Sequence, residues 1–328
     1  MSRVLTPTIL RLGLTVTDPV PYTRIVSTNQ FPEPAEQASL YPGPSVSITP
    51  PPQSPESEAS PAFWQLFLAV CTWIASAGFL LVVPVIVALP YLILKATSQS
   101  GLQPETLIKD KTLILLSILG VIPAHALSIL VAWVVITSWG KRPFWETLKW
   151  SWPEDFGIWK RVSLAALALA LLWLGSIVAK ALGGGETDID QLINSSTAAR
   201  ITLAVVATAT APFVEEVIYR GVLYSAFERA FGAVLAVLIV SVMFGGVHVV
   251  QYRKSLGVIV VIMMLSVALT LVRAITGRLL PCFLMHLVFN GVQSIYIVME
   301  PYIESMRHAG KAAGLTLQTI APFFSQLG

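Results

Sequence analysis

The sequence predicts an all-α protein: a polytopic bundle of about seven to eight transmembrane helices, preceded by a disordered, proline-rich N-terminal arm. Composition is the first reason. Of the 328 residues, 55% are hydrophobic and only 12% are charged, and the mean hydropathy is +0.74. A soluble domain carries about 25% charged residues, so the composition does not fit a water-soluble fold. The second reason is that the few charges are clustered between uncharged stretches about as long as a membrane-crossing helix.

Residues 1–61 differ from the rest of the chain because they hold 12 of its 22 prolines. The remainder of this segment is rich in Ser, Glu and Gln, with few apolar runs. Such a segment cannot bury enough apolar surface to offset its chain entropy. We therefore expect a disordered arm outside the membrane.

Seven apolar stretches follow, each long enough for a helix to cross the hydrocarbon, which takes about 20 residues. They lie near 63–94, 112–139, 161–182, 201–227, 231–251, 255–273 and 279–299. The first is long enough to divide at Pro84 or Pro90, and an eighth span would result. Between spans two and three, residues 141–152 mix Lys and Arg with three Trp side chains, which is typical of the headgroup layer.

Span four carries charges where a membrane helix normally has none. It is apolar up to Val214 and then continues with Glu215, Glu216 and, four residues after the second glutamate, Arg220. Each charge costs about 2.5–3.5 kcal/mol at the helix centre on insertion scales, so intramembrane charges are usually functional. The four-residue spacing allows Glu216 and Arg220 to pair on one face, while Glu215 points elsewhere. The alternative interpretation is an ion pair that serves packing only.

Further polar residues in later spans favour the functional interpretation. Span five contains Phe244 and His248, and span seven contains His286 and Asn290, each pair four residues apart. We expect these side chains to meet the Glu215 carboxylate in one polar cavity, with a base and oxyanion donors for amide hydrolysis. Counting residues from the span ends places Glu215 and His286 at similar depth, whereas His248 falls nearer the other side.

Together these residues form the motifs Glu-Glu-x-x-x-Arg, Phe-x-x-x-His and His-x-x-x-Asn, in this order along the chain. They are Glu215, Glu216 and Arg220, then Phe244 and His248, then His286 and Asn290. The ordered set resembles the CPBP family, which includes type II CAAX prenyl endopeptidases, bacteriocin-processing enzymes and Abi-type homologues. The motifs cover about residues 200–292.

The resemblance implies an intramembrane endopeptidase. In the family picture, Glu215 and His248 activate the attacking water, and His286 and Asn290 stabilise the oxyanion. Glu216, Arg220 and Phe244 then have supporting roles. Composition and motifs together lead us to expect a disordered arm 1–61, accessory transmembrane helices with the Trp/Lys connector over 62–182, a catalytic core over 183–300 and a tail over 301–328.

Cofactor and partners follow from the same interpretation. We expect no cofactor, because a Glu–His pair suffices as base, and no His-Glu-x-x-His motif is present. Zinc held by Glu215, His248 and His286 stays an open alternative. The expected partners are membrane lipid and a membrane-embedded or lipidated peptide, without nucleic acid, since the net charge of +3 forms no basic stripe. We expect an integral multi-pass protein, in the plasma (inner) membrane if the chain is bacterial.

Two other functions remain open at this point: a non-catalytic membrane scaffold or immunity-type protein, and a proton-coupled transporter that uses the carboxylates as a relay. Three further residues carry structural expectations. We expect His125 to be a packing or backbone-bonded histidine, and Arg273 to reach the headgroups from its span end. Pro212 is expected to kink span four and free backbone carbonyls near the carboxylates.

Overall fold

The computed structural model describes residues 62–98 and 104–312. The predicted arm 1–61 and the end of the predicted tail lie outside these residues. All regular elements in the described part are helical. This confirms the predicted fold class.

In chain order, the α-helices are α1 Ala62–Ser98, α2 Pro104–Ile108, α3 Lys111–Thr137, α4 Phe144–Thr147, α5 Ile158–Leu182, α6 Asp188–Ser195, α7 Thr197–Val205, α8 Ala211–Glu215, α9 Tyr224–Phe231, α10 Ala233–Tyr252, α11 Leu256–Thr276 and α12 Leu280–Ala312. Two π-helical segments interrupt the α geometry of span four. The first π segment, Val206–Thr210, joins α7 to α8, and the second π segment, Glu216–Leu223, joins α8 to α9. Span four is thus one continuous helix, Thr197–Phe231.

Seven helices of the described part are long and apolar enough to cross a membrane: α1, α3, α5, the α7–α9 helix, α10, α11 and α12. Their positions match the seven predicted stretches. The first stretch does not divide, because Pro84 and Pro90 both lie inside the single helix α1. Ending a helix within lipid leaves backbone groups without any partner, so one long helix with a proline in it is the less costly solution.

Successive spans joined by short loops alternate in direction, which sorts the loops onto two sides. The loop between α3 and α5 contains the tryptophan-rich segment, and we call its side the connector side. On the other side, which we call the α6 side, the α6 helix meets the turn between α10 and α11. There Asp188 pairs with Arg253 at 3.6 Å and with Lys254 at 3.4 Å.

Span four lies in the protein interior. Its second π segment is buried almost throughout, with Val217 and Leu223 inaccessible to solvent. Ala69 of α1, Ala132 of α3 and Phe244 of α10 belong to the same hydrophobic cluster. The charged residues of span four therefore face protein rather than lipid, as intramembrane charges usually do.

Candidate active site

Glu215 is the last residue of α8 and lies between the two π segments. In a π segment the backbone bonds run to the fifth residue along the chain instead of the fourth, so local carbonyls lose their usual partners. Such segments occur frequently at functional sites. The glutamate therefore stands on a short α-helical turn whose two neighbours both have irregular hydrogen bonding.

Pro212 explains the first irregularity. The Ala211 N–H bonds to the Val206 carbonyl, so the next carbonyl, that of Ala207, would need the N–H of Pro212. Proline has no N–H. The Ala207 carbonyl instead accepts from Asn290 Nδ2 at 3.0 Å. The expectation that Pro212 frees a carbonyl near the carboxylates is confirmed, and this carbonyl anchors one of the predicted site residues.

Glu216 and Arg220 form a buried ion pair. Both side chains are fully buried, and Arg220 Nη1 donates to Glu216 Oε1 at 3.1 Å. The other guanidinium nitrogens donate to α11: Nη2 to the Ser266 carbonyl at 3.0 Å, and Nε to Thr270 Oγ1 at 3.3 Å. The guanidinium also lies over the Phe244 ring, 4.7 Å from its centroid. A buried charge is tolerated when it is paired and its other donors are satisfied, and Arg220 meets both conditions.

His286 brings the two glutamates together. Its Nδ1 lies 2.8 Å from Glu216 Oε1, and its Nε2 lies 3.6 Å from Glu215 Oε2. An ionised carboxylate can only accept hydrogen bonds, so Nδ1 carries a proton and donates to Glu216. The ring is thereby oriented with Nε2 towards Glu215. The Glu215 side chain retains 24% of its exposure, whereas Glu216 has none. The two neighbouring carboxylates thus occupy different environments.

Phe244 links His248 to this group. The Phe244 ring centroid lies 4.8 Å from that of His248 and 6.0 Å from that of His286. His248 Nδ1 lies 2.7 Å from the Phe244 carbonyl, which can only accept, so Nε2 is left as the free acceptor. His248 has no direct contact with Glu215 among the described interactions. His248 lies one helical turn after Phe244 in α10, towards the α6 side.

The comparison with known families concerns the same part of the chain. The family model described as Rce1-like, type II CAAX prenyl endopeptidase, matches residues 197–292. No curated protein and no solved structure matches the chain significantly. The matched segment contains all three motifs. This match supports the resemblance of the segment to the CPBP family. Together with the seven apolar helices, the Rce1-like match supports an integral, multi-pass membrane protein.

Helices outside the Rce1-like segment also contact span four. Trp73 Nε1 of α1 donates to Tyr219 Oη at 3.1 Å, in the second π segment. His125 Nδ1 of α3 lies 2.9 Å from Thr210 Oγ1, in the first π segment. Because the Thr210 hydroxyl donates to the Val206 carbonyl at 3.2 Å, His125 is the donor in this bond. We expected His125 to pack or to bond to the backbone, so this side-chain bond was not predicted. Its partner Thr210 lies 85 residues further along the chain.

Arg273 corrects another expectation. It was expected to extend to the headgroups, but only 4% of it is exposed. Its Nε donates to the Arg220 carbonyl at 3.1 Å. That carbonyl is available because the Tyr224 N–H bonds to Tyr219 instead, as the π geometry requires. The prediction was wrong because the position of Arg273 near the end of its span does not reveal that a free backbone carbonyl lies within its reach.

The zinc alternative finds no assembled ligand set. Within residues 62–98 and 104–312, no group of three His, Cys, Asp or Glu side chains has an arrangement that could hold a metal ion. Glu215 and His286 are neighbours, but His248 is turned towards the Phe244 carbonyl. We therefore derive no step through a metal.

Proposed function

We propose that this protein is an intramembrane endopeptidase that hydrolyses peptide bonds of membrane-associated or prenylated substrates. The observation that carries the proposal is the position of His286 between two glutamates inside a buried span, 2.8 Å from Glu216 and 3.6 Å from Glu215. A carboxylate that can accept a proton, next to an imidazole held in a fixed orientation, is an arrangement suited to general base catalysis. The Rce1-like match supports this function at the level of the family.

In the proposed reaction, Glu215 accepts a proton from water, and the water oxygen forms a bond to the peptide carbonyl carbon. His248 assists through its free Nε2 by accepting a hydrogen bond from the same water. The carbonyl electron pair moves onto oxygen and gives a tetrahedral oxyanion. When the intermediate collapses, the C–N bond breaks and Glu215 returns the proton to the leaving amine.

Asn290 and His286 stabilise the oxyanion in this proposal. Asn290 uses one N–H of its amide on the Ala207 carbonyl, which fixes the amide and leaves the second N–H for the oxyanion. The protonated imidazole of His286 donates from Nδ1 to Glu216 and from Nε2 to the oxyanion. Removal of one such donor costs about 2.7–4 kcal/mol of transition-state stabilisation. Glu216 and Arg220 hold the imidazole in place.

The test is cleavage of a prenylated peptide with a C-terminal CAAX sequence by the full-length protein purified in detergent. We expect Glu215→Gln to lower the cleavage rate at least about a hundredfold, as expected for loss of a general base. Glu304→Gln is the matched control, because Glu304 is exposed on α12 and distant in sequence from the motifs. Equal cleavage by wild type and Glu215→Gln would remove Glu215 from the mechanism.

Two further arms address the alternatives. A strong chelator in the same assay should leave the rate unchanged, and a loss that zinc restores would establish the metal alternative. Cleavage of a non-prenylated membrane peptide at the same rate would instead assign the substrate class to membrane peptides in general. Absence of cleavage on both peptide types would favour a non-catalytic scaffold.

A further inference from the structure

A cavity with both polar and apolar lining lies on the α6 side, away from the candidate active site. It has a volume of about 310 Å³ and lies between the start of span four and the end of span seven. Arg200, Thr197 and Tyr302 contribute polar groups to its lining. Arg200 precedes Glu215 by 15 residues, which corresponds to roughly 20 Å along a helix. The cavity is therefore a separate site.

Arg200 is held in place but has one unused donor group. Its Nε donates to the Ile193 carbonyl at 3.3 Å, and its Nη2 donates to Asn194 Oδ1 at 3.0 Å. Its Nη1 is buried and has no hydrogen-bond partner within the described residues. Neither of the two existing partners carries a charge, and none of the ion pairs in the described part of the chain includes Arg200. The guanidinium thus carries a positive charge without an ionic partner among the described residues, and its Nη1 lacks an acceptor.

The position of the cavity indicates the ligand. Thr197 begins span four, and Pro301 and Tyr302 lie where the apolar part of α12 ends, so the cavity is at the depth of the lipid headgroups. Tyr302 is 59% exposed, as is common for aromatic side chains in this layer. Apolar side chains of Ile201 and Val298 line the same cavity and suit the glycerol and upper acyl region of a lipid. Guanidinium groups bind phosphate through paired hydrogen bonds.

We propose that this cavity binds the headgroup phosphate of an anionic phospholipid, with Arg200 as the principal contact. The negative headgroup neutralises the guanidinium and accepts a hydrogen bond from it. Because both span four and span seven line the cavity, a bound lipid would join the two spans that carry Glu215 and His286. The proposal goes beyond the proposed protease function, and its test does not depend on cleavage activity.

The experiment measures binding of lipids to the delipidated full-length protein in detergent. Dioleoyl phosphatidylglycerol, dioleoyl phosphatidylcholine and inorganic phosphate are titrated separately, with thermal stabilisation and native mass spectrometry as readouts. For the wild type we expect saturable binding of phosphatidylglycerol, with weaker binding of phosphatidylcholine. Inorganic phosphate should have no effect at the same concentrations, because it lacks the acyl chains that the apolar wall contacts.

Arg200→Gln should raise the Kd for phosphatidylglycerol about tenfold, the loss expected from one charge-assisted hydrogen bond. Arg307→Gln is the matched control, since Arg307 lies on the same side in α12, is exposed, and its loss changes the net charge equally. Arg200→Lys keeps the charge but loses the paired N–H groups of the guanidinium, and it should bind phosphatidylglycerol with intermediate affinity. It also provides a measurement if the Gln variant does not fold.

Three results would overturn the proposal. The first is an equal loss of affinity in Arg200→Gln and Arg307→Gln, which would indicate general surface charge. The second is stabilisation by inorganic phosphate equal to that by phosphatidylglycerol, which would make the site one for a free anion. The third is wild-type affinity in Arg200→Gln.

Discussion

At the residue scale, Glu215 and Glu216 are neighbours in the chain with different surroundings. Both partners of Glu216, Arg220 and His286, bind its Oε1 oxygen, and the carboxylate is completely buried. Glu215 is partly exposed, and its one ion pair among the described residues is with Nε2 of His286 at 3.6 Å. A completely buried carboxylate held by two partners through one oxygen cannot reach substrate, whereas a partly accessible one can reach water and substrate. The division of roles that we propose for the two glutamates is based on this difference.

At the same scale, Pro212 affects the site because it has no backbone N–H. Without its N–H, the Ala207 carbonyl has no partner in the helix, and the carbonyl binds Asn290 instead. The proline thereby positions a side chain 78 residues further along the chain. We regard Pro212 as a positioning residue, because it contacts neither water nor substrate in the proposed reaction.

Replacing Pro212 by alanine tests this interpretation. The new N–H can bond to the Ala207 carbonyl, so Asn290 loses its anchor and kcat should fall about tenfold or more. The melting temperature should stay the same or rise, because a helix gains a hydrogen bond. Pro90→Ala is the control, since it restores an N–H in α1, on an exposed position. If kcat is unchanged in Pro212→Ala while the protein remains folded, Pro212 does not position Asn290.

At the element scale, the two π segments are held from outside the Rce1-like segment. α1 contributes the Trp73–Tyr219 bond and α3 contributes the His125–Thr210 bond, one for each π segment. Irregular turns are strained and persist only where neighbouring elements determine them. The accessory helices therefore have a structural reason to accompany the motif-bearing spans.

A double-mutant cycle measures one of these bonds. Trp73→Phe and Tyr219→Phe each remove one partner, and the double variant removes both. We expect the sum of the two single losses in unfolding free energy to exceed the loss in the double variant by about 1 kcal/mol. This is the net contribution of a typical hydrogen bond. Thermal and denaturant unfolding in detergent provide the measurement. A coupling energy of zero would mean that the contact does not contribute to holding the second π segment.

Asp110 illustrates a contact that depends on pH, at the beginning of α3. It caps the helix by accepting from the Thr112 and Leu113 N–H groups, and it also binds Tyr91 and Lys95 of α1. Burial works against the ionised carboxyl, but the bonds from Lys95, Leu113 and Tyr91 outweigh it and hold its pKa at about 2. A lowered pKa means that the folded state is stabilised at pH values above the ordinary aspartate pKa.

Asp110→Asn should therefore lower the melting temperature at neutral pH. Asparagine is also a good N-cap residue, so the difference isolates the charge interaction with α1. In the wild type this stabilisation disappears as the pH falls from about 4 towards 2, because the carboxyl becomes protonated. The two melting temperatures should accordingly converge over that interval. A constant difference in melting temperature across pH 2–7 would show that the charge of Asp110 does not stabilise the folded protein.

At the scale of the whole molecule, the spans are brought together by close backbone approaches. A Cβ on Gly120 of α3 would lie 2.5 Å from the Cα of Pro84 in α1, and one on Gly257 of α11 would lie 2.6 Å from the Cα of Ala179 in α5. Small residues at helix interfaces are common in membranes, where van der Waals packing rather than the hydrophobic effect drives association. These glycines set how closely the accessory helices approach their neighbours.

Gly120→Ala should destabilise the protein, because the added methyl group meets backbone atoms that cannot move independently of their helix. We expect a loss of about 1–3 kcal/mol in unfolding free energy and a lower cleavage rate, since α1 and α3 hold both π segments. Gly78→Ala is the matched control, because its Cβ would have no neighbour within 4 Å. Equal melting temperatures for the two variants would contradict the close approach of α1 and α3.

Much of the architecture could be predicted from composition and spacing. Apolar length determines a membrane span, because the hydrocarbon thickness is fixed, and all seven spans of the described part follow from it. The pairing of Glu216 with Arg220 follows from the helical repeat. The resemblance to the CPBP family follows from three local motifs, and the family match covers them. The roles of the individual residues stay predictions.

The features that only the tertiary structure decided are contacts between segments that are distant in the chain. The chain pattern does not reveal that His286 contacts both glutamates, that Asn290 binds the carbonyl freed by Pro212, or that Arg273 is buried. Each of these contacts requires a partner on another helix, and the rotation of one helix against another is set by packing over its whole length. A single sequence records which residues are compatible with a helix, but only the assembled bundle determines which of them face each other.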